Sequence, residues 1–411
     1  MKSLKYLLFA LLITQVNHAY AHHGIANFDL NKDLSLTGIV TNVEFVNPHS
    51  WLYFDVTDSD GSVTSWRCEM RGATVLRRSG WSTDMFPAGM QISITGSPDR
   101  KDPSTCYTGT INFPDGSSVN RYGQLTKPTR AVPGDRPLRL ASGVPNLAGD
   151  WAAEQLVMTD PRGIEGMLVP ISVSDQFEPG ESPTGVGFPG ARGTEISMKD
   201  DPVDAYWNRR PTSMPLTPAG QAVVDNLDFA TGDNPRLRCA PTNILFDWYF
   251  EMDVNRIVQT QDQVRMYYGS MGIERTIHLD MTDHPDNIEP SVSGHSIGRW
   301  EGDELVVDTI GFIPGILNAD GRVPHSGQLH VVERFSLDPE RIALRRRYTA
   351  TDPAYFTGEF TGADSMYISD LPFHGTTECD DRTYRTATAP EPAAAETEEE
   401  EKDSPWWKFW D

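Results

Sequence analysis

The residues best suited to acid–base chemistry lie in one stretch of the second half of the chain. The candidates in this stretch are three histidines, two carboxylates and one arginine, namely His295, Asp308, His325, His330, Glu333 and Arg334. Imidazole and carboxylate groups can act as general acid and general base near neutral pH. The alternative is that these are ordinary rim or face residues of strands and loops. The sequence contains no P-loop or H-E-x-x-H motif that would decide the reaction.

The first 21 residues have the features of a secretory signal peptide. Lys2 and Lys5 precede a short apolar run, and Ala19-Tyr20-Ala21 is an A-x-A cleavage site. We therefore expect residues 1–21 to be removed during export. The mature protein would then be periplasmic or secreted.

Cleavage at this site would create a candidate copper site at the new N-terminus. His22 would become the first residue, and its free α-amine would lie beside its imidazole. His23 adds a second imidazole, and His49 could add a third from the end of the first strand. Such nitrogen donors suit Cu(II), which binds them more tightly than other first-row divalent ions. The alternative is that His22 and His23 are polar spacers and that His49 is a turn residue.

The four cysteines fit an oxidising compartment. Cys68 and Cys106 lie in the first half of the chain and are expected to pair. Cys239 and Cys379 lie in the second half and form the other expected bridge, although spacing alone leaves the connectivity open. The net charge of −23 argues against nucleic acid as a partner.

Composition and pattern divide the chain into two β-rich domains, a linker and a tail. The segments are a signal peptide at 1–21, an N-terminal domain at 22–122, a linker at 123–145, a second domain at 146–385 and a tail at 386–411. Residues 34–122 contain five short alternating strands, with a helical piece at 73–78 between the third and the fourth. This is the order of an OB-fold, so we expect an OB-like five-stranded barrel.

From Arg256 the pattern is typical of an antiparallel meander of strands. Two-residue loops at Gln261-Asp262, Gly302-Asp303 and Pro339-Glu340 separate alternating segments. The opening Gly149-Asp150-Trp151 resembles the start of lipocalin-type barrels, which implies a cup with an internal ligand site. We expect a lipocalin-like β-barrel for a small apolar ligand, with a long loop insertion at 160–215.

The predicted turn at Pro339-Glu340 places Glu333 directly opposite Arg346 on an otherwise apolar strand face. Buried charges are costly unless they are paired, so we expect a buried ion pair. Losing Glu333 alone should then cost more stability than losing both partners. Tyr348 lies on the same face, and with Trp300 these residues are the expected lining of the ligand pocket.

The tail at 386–411 combines an acidic, Ala- and Pro-rich run with a cluster of aromatic residues. The acidic run is expected to be disordered. The aromatic residues are Trp406, Trp407, Phe409 and Trp410. Such a cluster suits docking to a partner protein or to a membrane surface, and an inert tail is the alternative.

Two long blocks of sequence are distinctive. The first contains His22-His23-Gly24, Phe28-Asp29, Val46-Asn47-Pro48-His49 and Arg77-Arg78-Ser79-Gly80-Trp81. The second runs from Gly294-His295-Ser296-Ile297-Gly298-Arg299-Trp300 through Glu301-Gly302-Asp303. Together they resemble a family of secreted bacterial proteins of uncharacterised function, some of which add a C-terminal β-domain. The resemblance implies the two-domain architecture and implies no activity.

Three functions are consistent with the sequence. The first is a periplasmic binding protein that holds copper in its N-terminal domain and an apolar ligand in its barrel. The second is a barrel enzyme, an acid–base isomerase or hydrolase acting on a small apolar substrate. The third is an assembly factor that docks through its Trp-rich tail.

Overall fold

The described part of the chain forms two closed β-barrels, which confirms the all-β fold class. In the computed structural model the described residues are 28–47, 49–125, 136–158, 168–170, 211, 213–227, 235, 240–318, 322–339 and 342–375. Within these ranges no helix is sufficiently long and apolar to span a bilayer.

The strands are short and follow one another closely along the chain. The N-terminal strands are β1 Leu34–Glu44, β2 Trp51–Thr57, β3 Val63–Glu69, β4 Gln91–Pro98, β5 Thr105–Asn112 and β6 Ser118–Asn120. The later strands are β7 Gly149–Ala152, β8 Leu156–Met158, β9 Leu168–Pro170, β10 Val254–Gln259, β11 Gln263–Tyr267, β12 Glu274–His278, β13 His295–Glu301, β14 Glu304–Ile310, β15 Gly315–Ile316, β16 Pro324–His325, β17 His330–Asp338, β18 Ala343–Thr351 and β19 Phe360–Ile368. The α-helices are α1 Ala73–Arg78 and α2 Pro218–Asn226, and 3₁₀-helices occur at Thr83–Met85 and Asp247–Met252.

The N-terminal barrel has the predicted OB order. Its sheet runs β3-β2-β1-β4-β5-β6, and a parallel pairing of β3 with β5 closes it. Helix α1 lies between β3 and β4 along the chain, as expected. Cys68 and Cys106 are paired residues of β3 and β5 and form the predicted disulfide, so this bond joins the two strands that close the barrel.

The C-terminal barrel has nine strands in the closed order β10-β11-β12-β13-β14-β17-β18-β19-β7. All neighbours are antiparallel except β12 and β13, which run parallel. Parallel neighbours need a return connection, and residues 279–294 supply it. Strand β7 carries the Gly149-Asp150-Trp151 opening and closes the barrel between β10 and β19, with Trp151 fully buried.

Residues 243–248 are buried and pack into the interior of this barrel, where the sequence predicted a ligand. Arg346 donates a hydrogen bond to the carbonyl oxygen of Ile244 at 3.0 Å, and the Tyr268 hydroxyl donates to the same oxygen at 3.1 Å. The Trp248 ring lies 5.1 Å from the Tyr268 ring in an edge-on arrangement. Protein groups therefore occupy the described interior.

Two of the three predicted hairpin turns are confirmed, and one is wrong. Gln261-Asp262 and Gly302-Asp303 are two-residue loops between paired strands. The β17–β18 hairpin instead ends at the pair Asp338–Ala343, which leaves four residues in its loop. The register therefore shifts by two residues, and Glu333 pairs with Tyr348 rather than with Arg346. Because a two-residue shift preserves the strand face, Glu333 and Arg346 still point the same way.

The two barrels contact each other through α1 and the loop between β1 and β2. Arg78 donates to the carbonyl oxygen of Ala153 at 3.0 Å and pairs with Asp370 at 2.8 Å. The Asn47 amide donates to Asp253 at 3.1 Å. These hydrogen bonds join the N-terminal barrel to three places in the C-terminal barrel, namely the residues just after β7, just before β10 and just after β19.

Candidate functional site

Three of the sequence candidates meet at one end of three neighbouring strands. His295 begins β13, Asp308 lies near the end of β14, and His330 begins β17. Because neighbouring strands here are antiparallel, the start of β13, the end of β14 and the start of β17 lie at the same end of the barrel wall. Side chains alternate along a strand, and the neighbours Ser296, Thr309 and Val331 are buried. The three candidates therefore lie on the outer wall of the barrel.

Two further histidines, which the sequence analysis did not select, complete this cluster. His284 comes from the connection 279–294, and His278 is the last residue of β12. The parallel pairing of Ile277 with Ser296 brings His278 against His295, and their rings stack at 5.3 Å. We call His278, His284, His295, Asp308 and His330 the outer-wall cluster.

A chain of hydrogen bonds runs through three members of the outer-wall cluster. Nε2 of His284 lies 3.1 Å from Oδ1 of Asp308, and Nδ1 of His284 lies 2.8 Å from Nδ1 of His295. A carboxylate only accepts, so Nε2 of neutral His284 carries the hydrogen and its Nδ1 accepts. Nδ1 of His295 must then donate, which leaves the lone pair of neutral His295 on Nε2. In the described part of the chain, Nε2 of His295 has no hydrogen-bond partner.

The surroundings of His295 favour its neutral form. Burial lowers its pKa below the usual 6.5, and the neighbouring His284 and His278 lower it further by like-charge repulsion. A neutral imidazole with an open Nε2 can accept a proton. The geometry and the electrostatics therefore agree that His295 is a candidate base.

His330 holds the other oxygen of the Asp308 carboxylate. Its Nε2 donates to Oδ2 of Asp308 at 2.9 Å, so both carboxylate oxygens accept a hydrogen bond from a histidine. The side chains of Asp308 and His330 are 29% and 43% exposed, against 14% for His284. The cluster is thus open to solvent at His330 and covered at His284.

His325 lies away from the cluster. It is 3% exposed, its Nδ1 donates to the Ser326 carbonyl at 3.2 Å, and its ring packs edge-on against Phe312. Burial lowers the pKa of His325 to about 4. It is therefore a neutral core residue at neutral pH.

Glu333 and Arg334 point to opposite sides of β17. Glu333 is fully buried inside the barrel, where it pairs with Arg275 at 2.7 Å and with Arg346 at 3.3 Å. Arg334 lies on the outer wall at the middle of the strand and pairs with Glu301 at 2.9 Å. Neither residue contacts the outer-wall cluster.

The expected pocket residues belong to the packed interior. Glu333, Arg346 and Tyr348 are at most 3% exposed, and Arg346 also pairs with Asp364. Trp300 is partly buried against the same core. The charged groups among them are all bonded to protein partners.

A second polar cluster lies in the N-terminal barrel around His49. Its Nδ1 lies 3.4 Å from the buried Glu69 carboxylate, which also pairs with Arg121 at 3.2 Å. The Arg121 guanidinium stacks 3.8 Å from the Tyr107 ring centroid, and Phe28 packs against the same ring at 5.2 Å. Contacts therefore run without a break from His49 to the start of the described chain.

Several predicted site residues lie outside the described residues. They are His22, His23, Cys239, Cys379, Trp406, Trp407, Phe409 and Trp410. The copper site, the second disulfide and the docking tail stay predictions. Among the residues that the structure does describe, no three His, Cys, Asp or Glu side chains form a group that could hold a metal ion.

Fold and site together define a two-barrel all-β protein with a histidine–aspartate cluster on its second barrel. The profile of a family of unknown function, DUF6152, matches residues 10–108. This range contains the first block of the resemblance and most of the N-terminal barrel, and the outer-wall cluster lies beyond it. Comparison with curated proteins found no significant match. Comparison with solved structures found none either.

Proposed function

We propose that the C-terminal barrel is an acid–base enzyme domain that uses Nε2 of His295 as its general base. The observation that carries this proposal is the hydrogen-bonded chain from Asp308 through His284 to His295. The Asp308 carboxylate orients the His284 imidazole, which in turn orients the His295 imidazole. Nε2 of His295 is then the open nitrogen at the end of this series of hydrogen bonds. This proposal keeps the enzyme of the second function that the sequence suggested, but it moves the site to the outer wall and does not keep the apolar substrate.

The proposed reaction is hydrolysis of an ester of a small molecule. Nε2 of His295 takes a proton from water as the water oxygen attacks the ester carbonyl carbon. The resulting imidazolium returns that proton to the departing alcohol oxygen when the carbon–oxygen bond breaks. The negative charge of Asp308 stabilises the imidazolium through His284, and general acid–base catalysis of this kind contributes about 10²–10⁴-fold in rate.

The test measures ester hydrolysis by the full chain with His295→Gln and with a matched histidine variant. His374 is exposed and lies in the described chain outside the cluster, so His374→Gln is the control. We expect His295→Gln to lower kcat/KM by about 100-fold or more and the control to leave it unchanged. Thermal unfolding would first show that both variants are folded. Equal activity of the two variants would then refute the proposal.

A second candidate function, copper binding at the N-terminus, is supported by the surroundings of His49. Metal-binding histidines usually direct their other ring nitrogen at a carboxylate, and Nδ1 of His49 faces Glu69. Phe28, six residues after His22, is 1% exposed and anchors the arm on the same barrel.

Titration with a competing chelator tests the copper proposal. The cleaved protein should bind Cu(II) more tightly than a form that keeps extra residues before His22. His22→Ala should weaken binding more than His49→Ala. Equal affinity of the cleaved and extended forms would return these histidines to the spacer interpretation.

A further inference from the structure

The connection that carries His284 is strongly acidic. Residues 279–294 contain Asp280, Asp283, Asp286 and Glu289 and no lysine or arginine. All four acidic side chains are exposed, and Asp308 adds a fifth carboxylate within the cluster itself. Asp280 lies 4.0 Å from His278, whose ring stacks on His295, and Asp283 directly precedes His284. Negative charge therefore lies beside the cluster on the side of this connection.

The basic residues on neighbouring strands do not cancel this charge. Arg299 and Arg334 each lie four residues further along their strands, about 13 Å away, and both pair with Glu301. That distance exceeds the screening length of about 10 Å at moderate salt. Arg265 on β11 is closer, two strands or about 10 Å from His295, and is a single positive charge against five.

The arginines inside the barrel are compensated as well. Arg275 pairs with Glu333, and Arg346 pairs with Asp364 and Glu333. These two arginines and two carboxylates cancel one another in charge. They therefore do not offset the negative charge of the acidic connection near His295.

We infer that the substrate of the His295 site carries a positive charge, as an organic ammonium close to the bond that is cleaved. This inference rests on the proposed function and specifies its substrate class. A cleft of one charge sign raises the local concentration of oppositely charged substrate and the association rate by about 10–10³-fold. An anionic ester would be repelled by the same five carboxylates.

The test compares two esters of the same shape and different charge. Acetylcholine carries a trimethylammonium group, and its carbon isostere carries an uncharged tert-butyl group in the same place. We expect kcat/KM to be at least about tenfold higher for the cationic ester at about 0.1 M salt, where the distant arginines are screened. The ratio should fall towards one as salt screens the carboxylates.

A charge variant of the connection provides the matched control. Asp286→Asn with Glu289→Gln should lower the ratio of the two kcat/KM values. Asp84→Asn with Glu359→Gln removes two exposed carboxylates elsewhere in the described chain and should leave the ratio unchanged. Hydrolysis that depends on His295 but shows no preference for the cationic ester would overturn this inference and leave the proposed function standing. Failure to hydrolyse either ester would overturn both.

Discussion

Glu333 and Arg346 form a buried ion pair although they are not opposite each other in the β17–β18 hairpin. Their atoms approach to 3.3 Å along the diagonal, and both side chains are fully buried. The sequence predicted this pair from a turn that is two residues too short. The prediction of the pair is confirmed because the error in register was even and kept both residues on the inner face.

The ion pair is the middle of a longer network, which changes the expected effect of mutation. Arg275 binds Glu333 on one side, and Asp364 binds Arg346 on the other. Glu333→Gln with Arg346→Met would therefore leave Arg275 and Asp364 without their charged partners. The expectation from the sequence, that this double change costs less stability than Glu333→Gln alone, no longer holds. We expect Glu333→Gln to destabilise by about 3–5 kcal/mol because Arg275 loses its acidic partner.

Adding Arg275→Met to Glu333→Gln should recover part of that loss, because the Arg346–Asp364 pair remains complete. Adding Arg346→Met should instead deepen it. Chemical denaturation of the three variants measures both differences. The network account fails if the two double variants have the same free energy of unfolding.

His325 makes stability depend on pH. Its pKa of about 4 in the folded chain lies below the usual 6.5, so the unfolded chain binds more protons between these values. The stability is fully present above pH 6.5 and is lost as pH falls towards 4. Between pH 7 and 5 the loss should be about 2 kcal/mol.

The matched comparison for His325 is His325→Gln, which cannot titrate. Its free energy of unfolding should fall less between pH 7 and 5 than that of the unmodified protein, by about 2 kcal/mol. The exposed His374→Gln variant should follow the unmodified protein. Parallel pH profiles for all three would show that His325 is not the titrating group.

The hydrolytic activity should have an acidic limb that reports on His295. The base must be neutral, so kcat/KM falls as pH falls through its pKa, which lies below the usual 6.5. His278→Gln removes a like-charge neighbour and should move the limb to higher pH. If His278→Gln changes the rate but leaves the acidic limb of the kcat/KM profile at the same pH, the titrating group is not His295.

The disulfide between Cys68 and Cys106 should stabilise the N-terminal barrel by about 2–4 kcal/mol, according to loop-closure entropy. Cys68→Ala with Cys106→Ala should lower the free energy of unfolding by that amount.

Peptide mapping under non-reducing conditions should also find Cys239 linked to Cys379. Any bridge that joins the two domains would contradict the second pairing.

Local signals in the sequence predicted most of the architecture. The order of strands and α1 predicted the OB topology. Thr217, a residue type that favours N-caps, caps α2 by accepting a hydrogen bond from the Gly220 amide at 3.1 Å. The residue types of the turn did not predict the length of the β17–β18 loop. Ile342 in this loop adopts a φ of 47°, which is rare for a β-branched residue.

The site was predicted only in part, because its assembly depends on contacts between distant segments. His295, Asp308 and His330 share a strand edge, which alternating patterns indicate. His284 reaches them from an irregular connection, and His278 does so through a parallel pairing that periodicity cannot reveal. The packing of residues 243–248 into the barrel is likewise set by long-range contacts, such as that between Arg346 and the Ile244 carbonyl.

Strand β7 has a consequence for how the chain reaches its native state. It is the first strand of the C-terminal barrel to be synthesised, yet it pairs with β19 through Trp151 and Ile368, about 200 residues apart. Contacts between such distant residues slow folding, because a long loop must be ordered before they form. The barrel cannot close until its last strand has been made and, if the protein is exported, delivered across the membrane. During that interval β7 is paired with β10 alone, and an unpaired strand edge of this kind makes a partly folded domain prone to aggregation.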